Sequence, residues 1–289
     1  MKYGTYIPNR LDEGYGLNEE AIREIASEGY NLMITVDCGI TAVKEVELAK
    51  GLGIDVIITD HHEVPEELPK ATAIVDAKRK DNEYPFNQLA GCGVAFKLTQ
   101  ALSIKLNLNE NEWLKYIDIA CIGTISDIVP LIDENRVIAK LGLKLVAVTK
   151  NIGLKTLIDM VGAKKIDSSF ISFGISPRIN ACGRMGHQED ALELFLTNDP
   201  IEARNLAIKL EEYNRQKQDI KKKIYNEALE LISKEKDEPC IVLGKDGWHH
   251  GVIGIVSSKI TEITYKPSIL ICFEGENSKG SGRSIPGFD

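Results

Sequence analysis

Two short apolar, β-branched runs, 31–36 and 54–59, flank the helical pattern of residues 42–52 and constrain this chain more than any other feature. Runs too short for helices, alternating with helical segments, imply a mainly parallel sheet with right-handed crossovers. Both runs end in polar chemistry. Leu32-Met33-Ile34-Thr35-Val36 leads into Asp37-Cys38-Gly39, and Ile54 to Thr59 leads into Asp60-His61-His62-Glu63. Ligand-type residues at the C-terminal ends of buried strands are how open α/β sheets present their sites. A third acid, Asp127, follows the apolar run Ile117 to Ile125 and is expected at a further strand end. A lone acid in such a place more often caps the next helix. The cluster Asp60-His61-His62 tips the balance toward divalent-metal and phosphate-ester chemistry.

Asp37, His61 and Asp127 are the candidate metal ligands. Two cations about 4 Å apart require a bridging carboxylate and several terminal ligands, and an imidazole nitrogen suits Mn²⁺ better than Mg²⁺ alone. Asp60 is suited to orienting a histidine. His62, adjacent to His61 but directed elsewhere, is suited to a phosphate contact or a proton transfer, so His62 and Asp60 are the candidate catalytic pair.

At 289 residues the chain exceeds one comfortable core, so two domains are expected. Residues 1–195 read as an α/β domain, 196–236 as a long connecting helix, and 237–289 as a smaller, partial α/β domain. Asp199 suits the N-cap of that helix, Pro200 its first turn and Glu202 a capping box. Its middle, Glu211 to Lys223, is nearly all polar, as in helices that bridge domains. No apolar stretch approaches membrane-spanning length, and six scattered cysteines describe buried thiols of a reducing cytoplasm. The net charge of −8 argues against a nucleic-acid coat protein but not against a nuclease, whose carboxylates a bound metal neutralises.

A second set of residues is cationic. Arg178 and Arg184 flank Asn180 and Gly183 in what reads as a polar loop, Ser176 to Arg184. Gly247-Trp248-His249-His250-Gly251 opens a predicted helix near 252, and a glycine-flanked helix N-terminus attracts anions. Near the end, Gly280-Ser281-Gly282-Arg283-Ser284 offers small residues and a guanidinium for bidentate phosphate contact. Singly each reads as a surface loop; together they make a phosphate-binding face.

With Asp60-His61-His62, Ser176 to Arg184, Gly247-Trp248-His249 and Gly280 to Ser284 in one order, the chain resembles RecJ-type single-strand-specific exonucleases of the DHH phosphoesterase superfamily. The resemblance implies Asp37, His61 and Asp127 as metal ligands and His62 as the contact to the scissile phosphate. It also implies Ser281 and Arg283 as the grip on a 5′-terminal phosphate, with Arg10 and an arginine of 178–184 as further nucleic-acid contacts. The implied reaction is 5′→3′ hydrolysis of single-stranded DNA to nucleoside 5′-monophosphates in DNA repair and recombination, with Mn²⁺ or Mg²⁺. Implied partners are 5′-phosphorylated single strands and, at family level, single-strand-binding proteins or helicases. The triplet alone would also admit a small-substrate phosphodiesterase or pyrophosphatase, and a non-catalytic nucleic-acid-binding fragment is the third reading. The Asp-x-Asp-x-Asp-Gly motif of the family's first strand does not occur here, nor does its Gly-Gly-His motif. A central fragment is therefore expected, with little activity alone and its second metal in doubt.

Overall fold

The computed structural model describes residues 3–109, 111–233, 238–275 and 277–288. The expected boundary between residues 236 and 237 falls outside them. The chain forms two compact units. The first comprises 1–8, 13–177 and 195–204; the second comprises 9–12, 178–194 and 205–289. The segment 178–194, expected within the first domain, thus groups with the second unit.

The first unit begins with α1 (Glu19–Ser27), capped by the Asn18 side chain accepting from the Ala21 N–H. It continues through β1 (Leu32–Val36), α2 (Val43–Gly51), β2 (Asp55–Thr59) and β3 (Ala73–Val75). The strands form one parallel sheet in the order β1-β2-β3, with Val36 opposite Thr59 and Thr59 opposite Val75. Ile22, Met33, Val46, Ile54, Val56 and Ile58 pack α1 and α2 against the sheet. The repeated run–helix–run pattern is realised as a parallel sheet with a helical crossover from β1 to β2.

Four longer helices follow: α3 (Gly91–Lys105), α4 (Ile117–Ser126), α5 (Asp133–Val146) and α6 (Ile152–Val161). The run 117–125 is therefore a helix, which corrects the expected strand. Ile117, Ala120, Cys121, Ile122 and Ile125 are all buried, so α4 is covered on nearly every side. A helix apolar all round carries no amphipathic period, which is why a run of this length could be read either way.

A short turn α7 (Ser168–Phe170) and a π-helical turn Ile171–Ile175 run into α8 (Ser176–Arg184). The expected loop at 176–184 is thus helical. Pro177 follows directly on that π-helical turn, and Ala181 and Cys182 are fully buried. After α9 (Gln188–Leu196) comes α10 (Pro200–Ile232), started as expected by Asp199, whose carboxylate accepts from the Ile201 N–H at 2.8 Å. Its polar middle is not solvated throughout: Asn214 and Lys217 are buried between the apolar Leu210 and Ile224.

The second unit ends in β4 (Ile241–Asp246), α11 (His250–Thr264), β5 (Ser268–Glu274) and β6 (Asn277–Arg283). Parallel β4-β5 and antiparallel β5-β6 pairing makes a mixed sheet. Ile224 and Ala228 of α10 join Leu243, Trp248, Val252, Val256, Ile260 and Leu270 in its core.

Candidate metal centre and phosphate-binding residues

All three strands of the first sheet are followed at once by an aspartate: Asp37, Asp60 and Asp76. The ladder runs one residue past the strands, because the Asp37 N–H donates to the Thr59 carbonyl and the Asp60 N–H to that of Val75, each at 3.0 Å. The parallel register therefore sets three acids side by side at the C-terminal edge. Asp37 takes a left-handed conformation with φ of 65°, strained for a residue with a β-carbon. Ile128, directly after Asp127, does the same with φ of 60°, which is rarer still for a β-branched residue.

His61 joins two of the sequence-predicted acids. Its Nε2 lies 2.9 Å from Asp37 Oδ1 and 3.6 Å from Asp127 Oδ2. Asp37 Oδ1 is buried with no hydrogen-bond partner. A buried carboxylate oxygen facing an imidazole nitrogen is an arrangement a shared cation satisfies. Asp37 raises the His61 pKa, against the opposing effect of burial. Asp127 caps the C-terminus of α4, where the helix dipole disfavours an anion and so favours a nearby cation. Gly91 opens α3 against this site, and a β-carbon there would lie 2.3 Å from Asp37 Oδ1. Three ligand atoms, an orphaned buried oxygen and a cradle that only glycine leaves open all fit a divalent ion.

Asp60, expected to orient a histidine, is 1% exposed. One oxygen accepts from the Ile40 N–H at 3.0 Å; the other accepts from the His61 N–H at 2.8 Å and meets His62 Nδ1 at 2.6 Å. Burial pushes its pKa up, but the Ile40 N–H and His62 outweigh that and hold it below the usual value. Asp60 is a positioning residue that fixes His62 and leaves the opposite ring nitrogen available. His62 also lies close enough to offer a ring nitrogen within 4.8 Å of the Asp37 and His61 ligand atoms.

Two neighbours were not found by sequence reasoning. Tyr15 donates its hydroxyl to the Asp37 carbonyl, and its ring meets His62 edge-on at 5.9 Å. Asp76 keeps one oxygen buried without a hydrogen-bond partner, and burial raises its pKa. The signal for Asp76 was present, since it follows Val75 as Asp37 follows Val36.

The whole sequence-predicted phosphate-binding set falls in the second unit: Arg10, Arg178, Asn180, Arg184, His249, Ser281 and Arg283. Arg184 Nη1 donates to the Gly251 carbonyl at 3.0 Å. Burial, then the charges of Arg10 and Arg283, lower its pKa, so three guanidiniums share one neighbourhood. Ser281 and Arg283 lie two apart on β6, and Arg283 Nε donates to Ser258 Oγ at 2.9 Å. Gly254 of α11 makes room, because a β-carbon there would lie 2.8 Å from Ser281 Oγ. Arg178 is paired with Glu211, and Asn180 is exposed on α8. His249 caps α11 by accepting from the Gly251 N–H at 3.2 Å, so part of that helix end is already satisfied from within. Lys217, missed in the polar run, donates to Asn214 at 2.8 Å. Burial and the nearby Arg184, Lys221 and Arg178 push its pKa down to about 8. Such crowding of cations stores an affinity for anions.

Comparison with known proteins places this geometry in context. The model of the DHH family, N-terminal domain, matches residues 1–124. The chain is 46% identical over 289 residues to the single-stranded-DNA-specific exonuclease RecJ of Bacillus subtilis, matching 98% of this chain and 36% of that protein. It is 35% identical to the RecJ of Escherichia coli, matching 97% of this chain and 52% of that protein. The crystal structure of an exonuclease RecJ bound to manganese superposes with a TM-score of 0.87 at 36% identity, covering 98% of this chain and 70% of that one. A RecJ in complex with Mn²⁺ from Thermus thermophilus gives 0.83 at 35% identity, over 94% and 40%. The chain thus spans between about a third and a half of the length of these two curated relatives.

Proposed function

The chain belongs to the RecJ branch of the DHH family, and on that premise we propose that it supplies the metal centre and phosphate-binding residues of a 5′→3′ exonuclease acting on single-stranded DNA. The observation that carries this is His61 Nε2 standing between the Asp37 and Asp127 carboxylates, beside an aspartate oxygen left without a partner.

Asp37, His61 and Asp127 hold the cation, Mn²⁺ or Mg²⁺; both types of complex are known for relatives. When bound, such an ion lowers the pKa of a water and polarises a phosphoryl oxygen. Asp60 keeps His62 in one orientation, so that its outward ring nitrogen contacts the scissile phosphate or carries a proton. Tyr15 steadies the Asp37 turn and one side of the His62 ring. Arg10, Arg184 and Lys217 bind strand phosphates, Asn180 and Arg178 line the same helix, and Ser281 with Arg283 grips the 5′-terminal phosphate. His249 acts there as a neutral donor or acceptor, because burial and then His250 lower its pKa.

No helix among the described residues is long and apolar enough to cross a membrane. A cytoplasmic site of action, with single-strand-binding proteins or helicases nearby, belongs to the same proposal. The decisive experiment is release of nucleoside 5′-monophosphates from a 5′-phosphorylated single strand by protein carrying this sequence, in millimolar Mn²⁺. Loss of release in His61→Ala is expected; undiminished release would overturn the assignment. Hydrolysis of pyrophosphate or dinucleotides with no action on long strands would favour a small-substrate phosphodiesterase instead.

A further inference from the structure

His250, Cys272 and Glu274 meet in the second unit, where α11 begins and β5 ends. Cys272 and Glu274 are two apart on the strand and so share a face, and His250 is the first residue of the helix packed on it. The imidazole Nδ1 lies 2.7 Å from Glu274 Oε1, and Cys272 Sγ lies 3.6 Å from the same oxygen. One ligand atom from each residue falls within 4.8 Å of the others.

We infer that His250, Cys272 and Glu274 form a second cation site, selective for a thiophilic divalent ion such as Zn²⁺. Bonds of about 2.0–2.3 Å to nitrogen, oxygen and sulfur set tetrahedral ligands roughly 3.3–3.8 Å apart, which the Sγ–Oε1 separation already meets. The donor set differs in kind from the oxygen-rich Asp37 centre: a thiolate selects zinc over Mn²⁺ or Mg²⁺. Burial is graded as an entry path needs, with Cys272 fully buried and Glu274 exposed at the rim. The hydrogen-bonded arrangement also leaves His250 Nε2 buried without a partner, so the cluster is not a closed polar network. Binding replaces the thiol proton, which leaves to solvent as the sulfur–zinc bond forms. The bound ion would tie the first turn of α11 to the last residue of β5.

Cobalt(II) is the probe, because a thiolate ligand gives a near-ultraviolet charge-transfer band that oxygen ligands at the Asp37 centre do not. The full chain titrated with Co²⁺ should show this band, and Zn²⁺ should abolish it. Cys272→Ser should remove it, and His250→Gln should weaken Co²⁺ binding at this band at least tenfold. Cys240→Ser and Cys38→Ser, which test the exposed cysteine and the one beside Asp37, should retain it. Absence of the band in the unaltered chain, its persistence in Cys272→Ser, or unchanged affinity in His250→Gln would overturn the site. Should Cys272→Ser fail to fold by circular dichroism, the His250→Gln titration decides, since that side chain lies at the edge of the core.

Discussion

A β-carbon on Gly91 would lie 2.3 Å from Oδ1 of Asp37 and 2.6 Å from that residue's own β-carbon. Helix α3 starts against the carboxylate because a hydrogen atom leaves it room. Asp37 cannot easily retreat, since its backbone is already in the left-handed region and its N–H is tied to Thr59.

Gly91→Ala should therefore displace Asp37 while leaving the fold intact, as alanine is the better helix former. The expected outcome is a loss of Mn²⁺ affinity of at least about tenfold, comparable to other disturbances of ligand orientation. Calorimetric titration with thermal melting checks it. A normal affinity would mean that Asp37 has another position from which to bind.

Under the proposed assignment the two histidines divide their tasks. His61→Ala should abolish most Mn²⁺ binding, since it removes the nitrogen nearest both acids. His62→Ala should spare binding and damage turnover, because Asp60 holds that ring by Nδ1. Parallel titrations of the two variants decide, and equal loss of metal in both would reject the division.

Much of this was legible in the chain because the signals were local. The runs at 31–36 and 54–59 fixed strand placement through their alternation with helices, and Asp199-Pro200 marked the start of α10. What the sequence concealed depends on contacts distant in the chain. Ile117 to Ile125 is mostly apolar, with Asp118 and Thr124 the exceptions, so only the packing that covers α4 on nearly every side shows it to be a helix. Lys217 lies in a polar run, and its burial comes from α10 packing against groups that include Arg178 and Arg184. Pro177 reads as a loop residue because proline disfavours a helix interior, yet the helix runs through it directly after the π-helical turn Ile171–Ile175. Tyr15 lies 22 residues before Asp37, and no spacing rule links them.

Arg283→Ala should selectively reduce the preference for a 5′-phosphorylated strand over a 5′-hydroxyl one. A charge-assisted contact of about 1.5–3 kcal/mol corresponds to roughly a ten- to hundredfold change in the ratio of affinities. Competition between the two oligonucleotides measures it directly. Equal weakening on both ends would make Arg283 a general phosphate contact and not an end reader.

Lys217 gives the site a pH dependence. Its pKa falls from the ordinary lysine value of 10.5 to about 8, through burial and then Arg184, Lys221 and Arg178. Below about pH 8 the ammonium is present and adds to phosphate attraction; above it the charge is lost. Affinity for a single strand at fixed ionic strength should thus fall between pH 7 and 9. Stability should move the other way, because between about pH 8 and 10.5 the unfolded chain keeps a proton that the folded chain has released. Neighbouring Cys182, pushed up to about 12 by burial, and Tyr213, raised further by burial, stay protonated across this window. Lys217→Met should bind more weakly at pH 7 and lose the step. It should also melt higher at pH 7, by about 2–4 °C, if removing a buried like-charged cation stabilises by on the order of 1 kcal/mol. Fluorescence anisotropy across this range, with melting at pH 7, tests both halves. A step that survives in Lys217→Met would assign the titration to another group.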